Sequence, residues 1–408
     1  MNIEFPVKRK FIIVLGCLTG MGALTIDMSL PSIPDMVIDL SSNLSAGQLI
    51  IGIFLAGFAL GQLPAGLLSD RIGRIPILLS GTLIFIFAGI ITSLATSMEV
   101  MLIGRFLQGL GASVGVVVSR AIVRDIASGK KAASILSIMV MIFTATPMLA
   151  PIIGAYLVSQ FDWRAPFIAI TIFGAIIFFS ITNGLHETKK PDKNKHIKQQ
   201  FYTGIKEFFS HKESIIGMLL IVIPTMGYMS MISASSSLII GIYDFPVKWF
   251  GPIFALAGLG VLIGSTINRR LLKKFNILQI MGLGSFLVGL GAILLIYFAW
   301  QNQANFIWLW CSICIYMFGT SFLISNATAM ALDPAPKIAG IAASIIGTIQ
   351  NLCSSLGSIT TGIIYNDSIR NAILVMAIFG FVTLVIYLLS FKVMKHHIVN
   401  LNSSMNND

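Results

Sequence analysis

The chain alternates long apolar runs with short polar breaks. Runs of about 20 residues, enough to cross a ~30 Å hydrocarbon layer as helix, fall at 11–30, 49–68, 76–97, 101–123, 133–158, 165–184, 214–241, 250–268, 278–300, 305–332, 338–364 and 371–391. That pattern predicts twelve transmembrane helices. The run boundaries are least sharp at a linker from Pro31 to Gln48, at the split between the fourth and fifth runs and at a turn from Tyr243 to Trp249. The one sizeable polar interruption, 186–213, splits the runs six and six. The expected organisation is an N-terminal six-helix bundle (1–185), a linker loop (186–213), a C-terminal six-helix bundle (214–395) and a polar tail (396–408).

Composition supports the membrane reading. Only 11% of residues are charged and 56% are hydrophobic, whereas soluble domains carry about 25% charged residues. The net charge of +11 comes from basic residues scattered between the runs, so anionic lipid is the expected partner rather than nucleic acid. Of the 27 Lys and Arg, 22 fall in the termini and one set of loops, and only Arg164, Lys248 and Arg370 in the other. The positive-inside rule then puts both termini and the 186–213 loop in the cytoplasm. Trp163, Trp249, Trp300, Trp308 and Trp310 all fall near the opposite interface, where indoles favour headgroup depth. The basic Lys8, Arg9 and Lys10 lead into a full-length apolar run with no cleavage site, so no signal peptide is expected. Cys311 and Cys314 have redox-pair spacing, but they lie mid-run without a nearby histidine and read as small packing residues. No P-loop pattern and no cluster of metal-ligating or acid–base residues occurs in the runs, which argues against an ATP-driven pump and against an enzyme. No cofactor or metal is expected.

Asp27 is the acidic residue set well inside an apolar run. A charged residue there costs about 2.5–3.5 kcal/mol on the mildest scales. The natural use of such a carboxyl in a membrane is to take up and release a proton. At 1.5 Å per residue, Asp27 lies about 25 Å along the helix from Lys10, and Arg105 about 6 Å below the outer end of its run. The two opposite charges share a depth, which invites pairing and a switch in which Arg105 and substrate compete for the ionised acid. Asp27 as a helix-end cap and Arg105 snorkelling to headgroups are the alternative uses. Gln108 lies on Arg105's face of the helix, three residues on, where it can bind substrate, orient Arg105 or join helices.

The loop after the second run reads Gly66, Asp70, Arg71, Gly73, Arg74. After the eighth run Gly264 and Asn268 repeat the Gly66–Asp70 spacing at an offset of 198 residues. A parallel repeat of two bundles suits a transporter with its site between them near the midplane. Gly66 is expected to let helices approach closely, Asp70 to lie against the positive end of a neighbouring helix, and Arg71 and Arg74 to pair with acids across the bundle seam and hold the cytoplasmic side shut. A plain topogenic turn is the alternative, and Arg124 and Asp125 read as part of the same gate.

This loop resembles the cytoplasmic signature of the major facilitator superfamily, with Ile75 where a further basic residue is usual. The Asp27 run ending in Pro31 and Pro34, the Arg105–Gly109 and Val123–Asp125 stretches, Pro151 with Gly154, Asp162–Ala165 and Asn268–Leu271 are similar to the Bcr/CflA drug-resistance group. The resemblance implies an all-α membrane fold of twelve helices in two six-helix bundles. It implies a proton-coupled antiporter of the bacterial inner membrane that exports amphipathic drugs or small metabolites as a monomer. Asp27 and Arg105 match its coupling motifs, and Pro147, Pro151 and Gly154 its antiporter-type helix, although Ala155 replaces a second glycine. Kinking by those prolines would press that helix on a neighbour; a static kink is the plainer reading. Gln108, Tyr228, Ser233, Ser235, Tyr316, Asn326 and Thr328 are the candidate polar points of a substrate cavity, each also serviceable as helix packing. Export of a single endogenous metabolite or siderophore is the alternative function.

Overall fold

The structure, a computed structural model, describes residues 9–188, 197–301, 304–334, 338–366 and 368–405. All regular structure among them is helical. The first half holds α1 (Arg9–Ser29), a 3-10 turn (Leu30–Ser32), α2 (Ile33–Asp39), α3 (Leu44–Ile72), α4 (Arg74–Ser93), α5 (Met98–Ile126), α6 (Gly129–Gln160) and α7 (Ala165–Gly184). The second holds α8 (Ile197–Ser210), α9 (Lys212–Ser236) with a π-helical end (Ser237–Ile242), α10 (Val247–Leu271), α11 (Ile277–Ala299), α12 (Phe306–Leu332), α13 (Ala339–Ile364) and α14 (Ile369–Met405). Among the described residues eleven stretches are long and apolar enough to span: α1 with α2, α3 to α7, α9 with its π-helical end, α10, α11, α12 and α14. This is a multi-pass membrane protein. α13 has similar length but carries Thr348, Gln350, Asn351, Ser354, Ser355 and Ser358 through its middle and is not one of the eleven.

Several helices outrun their apolar runs because polar caps, not hydropathy, set where they begin. Asn43 accepts from the Ala46 N–H at 2.8 Å, so α3 starts at Leu44 rather than 49. Asn276 and Gln279 form a reciprocal capping box at 2.9 and 3.1 Å that starts α11. The expected linker from Pro31 to Gln48 contains the 3-10 turn and α2, and the turn after the seventh run is reached through the π-helical end of α9.

The 186–213 segment is not simply a loop. It holds α8, which the run of lysines disguised: Ile205 and Phe208 recur at helical spacing, Phe208 is fully buried, and Gly204 meets Ile341 of α13. At the C-terminus α14 continues to Met405, past the last apolar residue of its run.

The chain divides into two compact units: Met1–His196 with Ser235–Ala255, and Ile197–Ala234 with Leu256–Asp408. In the first, α5 lies between α3 and α4, α1 packs on α6 and α5, and α7 closes on α4. In the second, α11 packs between α12 and α14, and α13 against α14 and α8.

Glycines set the closest helix approaches, but Gly66 is not among them. A Cβ there would meet Val117 at 3.5 Å, an ordinary contact. The α3–α5 seam closes instead at Gly57, against the Phe106 carbonyl, and at Gly61, against Ser113 Oγ and the Leu110 carbonyl. The second unit repeats this pattern: Gly260 faces the Cys314 carbonyl, and Gly264 faces Ser321 Oγ and the Phe318 carbonyl. Gly57 pairs with Gly260 and Gly61 with Gly264, each pair 203 residues apart (260 − 57 and 264 − 61). The repeat is therefore real but out of the 198-residue register by five, because the shared contact is a helix seam and not the loop spacing.

Candidate coupling site and the Arg74 network

Arg105 is fully buried in the first unit, on the middle helix of the α3–α5–α4 layer. Its guanidinium donates to Gln108 Oε1 at 2.9 Å, to Ser29 Oγ at 3.2 Å and, from both terminal nitrogens, to the Thr25 carbonyl at 3.4 Å. The rings of Phe54 (α3) and Phe167 (α7) lie 4.8 and 5.7 Å from its Cζ, where the ring faces favour a cation. Two buried donors, Arg105 Nε and Gln108 Nε2, have no acceptor among the described residues.

Asp27 is 4% exposed. Among the described residues it forms no ion pair, and the pairing with Arg105 invited by their common depth is not made. The reason is helical phase. Gly16 abuts Ile142 and Gly20 abuts Thr146, both on α6. Asp27 follows them by eleven and seven residues, close to whole numbers of turns, so it lies on the same α6-facing side. Thr25 and Ser29, which meet Arg105, are each two residues from Asp27 and fall on the other side, where the Leu18 carbonyl abuts Gly115 of α5. Asp27 and Arg105 thus stand back to back across α1. Gly154 is the closest approach of α6 here: a Cβ would collide with the Met28 carbonyl, next to Asp27. Pro147 and Pro151 lie inside the unbroken helix α6 just before it.

At the other end of the unit Arg74, 4% exposed, gathers a network. It pairs with Asp70 at 2.9 Å and Asp125 at 2.8 Å, and donates to Ser69 Oγ at 2.8 Å. Glu187 caps the start of α4, accepting from the Arg74 and Ile75 N–H groups at 2.9 and 3.1 Å. Gly73 makes the bend with φ +119°, where a Cβ would be strained and would sit 2.6 Å from the Glu187 carboxylate. Arg71 and Arg124 are exposed and join no ion pair among the described residues. Of the residues expected at a gate, Arg74, Asp70 and Asp125 are the ones joined by ion pairs, all within one unit and not across the bundle seam.

Sequence reasoning missed two groups. Thr25, Ser29, Phe54 and Phe167 hold Arg105; the Thr25–Ser29 spacing beside Asp27 was a usable signal, while the two phenylalanines come from distant helices and left none. Asp39 accepts from Trp163 Nε1 at 3.0 Å and pairs with Arg164 at 2.8 Å, while Arg164 also reaches the Ala95 carbonyl at 3.3 Å. The Asp162–Ala165 stretch thereby ties α2, α7 and the α4–α5 turn, with Asp162 capping α7.

In the second unit Tyr316 is fully buried and donates to the Pro224 carbonyl at 3.0 Å. Asn326 donates to Asn268 at 2.8 Å, joining α12 to α10. Thr328 donates to its own helix at Ile324. Each is engaged in helix packing. Ser233 is fully buried and Tyr228 half-buried on α9, while Ser235, also buried, falls in the first unit with Gln108. Cys311 and Cys314 are free thiols.

Residues 15–358 match the family described as the Major Facilitator Superfamily. The chain is 30% identical over 352 residues to a bicyclomycin resistance protein homolog of Haemophilus influenzae, covering 83% of this chain and 85% of that one. It is 26% identical over 347 residues to multidrug resistance protein D of Escherichia coli, covering 85% and 87%. A solved bacterial homolog of the human lysosomal transporter Spinster, in an inward-facing and occupied conformation, superposes with a TM-score of 0.77 at 14% identity, over 95% of this chain and 98% of that one. That likeness concerns the fold alone. The chain belongs to the Major Facilitator Superfamily, a family of transporters rather than enzymes, and within it to the bicyclomycin- and multidrug-resistance type.

Proposed function

We propose that this transporter is a proton-coupled antiporter that exports amphipathic drugs or small metabolites across the inner membrane by alternating access. In this reading α13 is the twelfth span, both termini are cytoplasmic, the two six-helix bundles are 1–185 and 214–395, and the monomer is the working unit. The resistance proteins among its relatives support drugs as the substrate class. The observation that carries the coupling is the placement of Asp27: a buried carboxyl with no ion pair among the described residues, back to back with a caged arginine. An ionised Asp27 in that place is costly, so proton binding and release there changes how α1 sits against α6. Arg105, gripping the Thr25 carbonyl, carries the displacement to α5. The uncommitted Arg105 Nε and Gln108 Nε2 donors then meet an acceptor on the substrate. Tyr228, Ser233 and Ser235 are the further polar points assigned to the cavity.

Asp27→Asn keeps the shape and removes the titration. In proteoliposomes it should abolish drug-dependent proton movement while the protein still elutes as a folded species. Unimpaired coupled transport in that variant would overturn the assignment.

A further inference from the structure

The linker helix α8 presents two faces. Gly204 and Phe208 turn toward α13, where Gly204 meets Ile341 in the first turn of that helix. On another face Tyr202, Lys206 and Phe209 line up at i, i+4 and i+7. Tyr202 is 72% and Phe209 42% exposed, and Lys206 is exposed between them. One residue, His211, separates α8 from α9, a helix able to span. α8 is therefore held at the level where a span enters the membrane, with an aromatic–lysine–aromatic stripe open to whatever surrounds the protein. Tyr202 combines an apolar body with a polar edge and favours headgroup depth, Phe209 offers an apolar face to the acyl boundary below it, and the lysine between them favours anionic headgroups. The sequence just before α8 adds Lys189, Lys190, Lys193 and Lys195, and the first turn of α8 adds Lys198.

We propose that the Tyr202–Lys206–Phe209 stripe of α8 lies in the headgroup layer and binds anionic phospholipid, anchoring the linker to the membrane surface. This does not depend on the transport reading: a chain that carries no protons would still place α8 there.

The test uses the full chain with Cys17, Cys311, Cys314 and Cys353 replaced by serine, a bimane label at Tyr202→Cys or, a quarter-turn away, at Thr203→Cys, and nanodiscs of phosphatidylcholine with or without phosphatidylglycerol. Headgroup-level spin-labelled lipid should quench the label at 202 more than at 203, and more with phosphatidylglycerol present. Adding Lys206→Glu should weaken that preference about fivefold or more, from roughly the contribution of one lysine near an anionic surface. Equal quenching at both positions, or none, overturns the proposal. The unlabelled wild-type chain provides a second reading that needs no cysteine changes: the motionally restricted fraction of spin-labelled phosphatidylglycerol should fall with Lys206→Glu, and an unchanged fraction also overturns it.

Discussion

At Arg105 a full positive charge is kept out of water by two aromatic faces and three oxygens. Such a site is specific for guanidinium geometry, because lysine has neither the fork nor the planar face. Arg105→Lys should therefore keep the charge and still lose drug transport by an order of magnitude or more, measured as uptake into inverted vesicles; near-wild-type rates would show that charge alone is needed. Ser29→Ala removes one hydrogen bond, worth about 1.5–3 kcal/mol to a charged group, and should lower thermal stability without touching Asp27. Gly154→Val is a sharper steric test. Its side chain has no room against the Met28 carbonyl, so it should push α6 from α1, at a cost of about 1–3 kcal/mol in packing, and uncouple proton movement from transport. Equal coupling in the variant would separate the α1–α6 contact from the mechanism.

Among the elements, the start of α4 shows how a loop motif becomes a structural joint. Arg74 binds Asp70 on α3 and Asp125 on α5, and the Glu187 carboxylate sits on the α4 N-terminus. Removing a partner of a buried charge is destabilising because the charge loses compensation; Asp70 and Ser69 still hold Arg74 when Asp125 is removed, so Arg74→Ala is the more costly change. Arg74→Ala and Asp125→Ala should each lower the melting temperature, and the double variant should lose much less than their sum, the mark of one shared interaction. The Asp39–Arg164 pair is more exposed, at 49% and 31% of the side chains. Its loss in Asp39→Asn should leave the melting temperature nearly unchanged, because solvent screens an exposed pair. Helices α3 to α7 were legible from apolar runs alone, since a span needs little more than length and hydropathy. α8 was not, because its amphipathic pattern is short and lies beside a block of lysines.

For the whole molecule, the breadth of export is the property to measure. Expression in a pump-deleted bacterial host should raise resistance to several unrelated amphipathic antibiotics. Protection against none, with build-up of one metabolite in a strain lacking the protein, would favour the single-substrate exporter. The all-helical, multi-pass class, the family and the presence of a costly acid at Asp27 were determined by the sequence by itself, because hydropathy and motif spacing are local properties of a chain. Tertiary structure alone decided three things. It turned Asp27 and Arg105 to opposite sides of α1, since a common depth says nothing about helical phase. It moved the close helix approach from Gly66 to Gly57, Gly61 and Gly109, since which glycine faces a neighbour depends on how that neighbour is rotated. It drew Tyr316, Asn326 and Thr328 into helix packing, since a polar side chain inside a span takes whichever acceptor its neighbours bring within reach, and only the packed bundle says which that is.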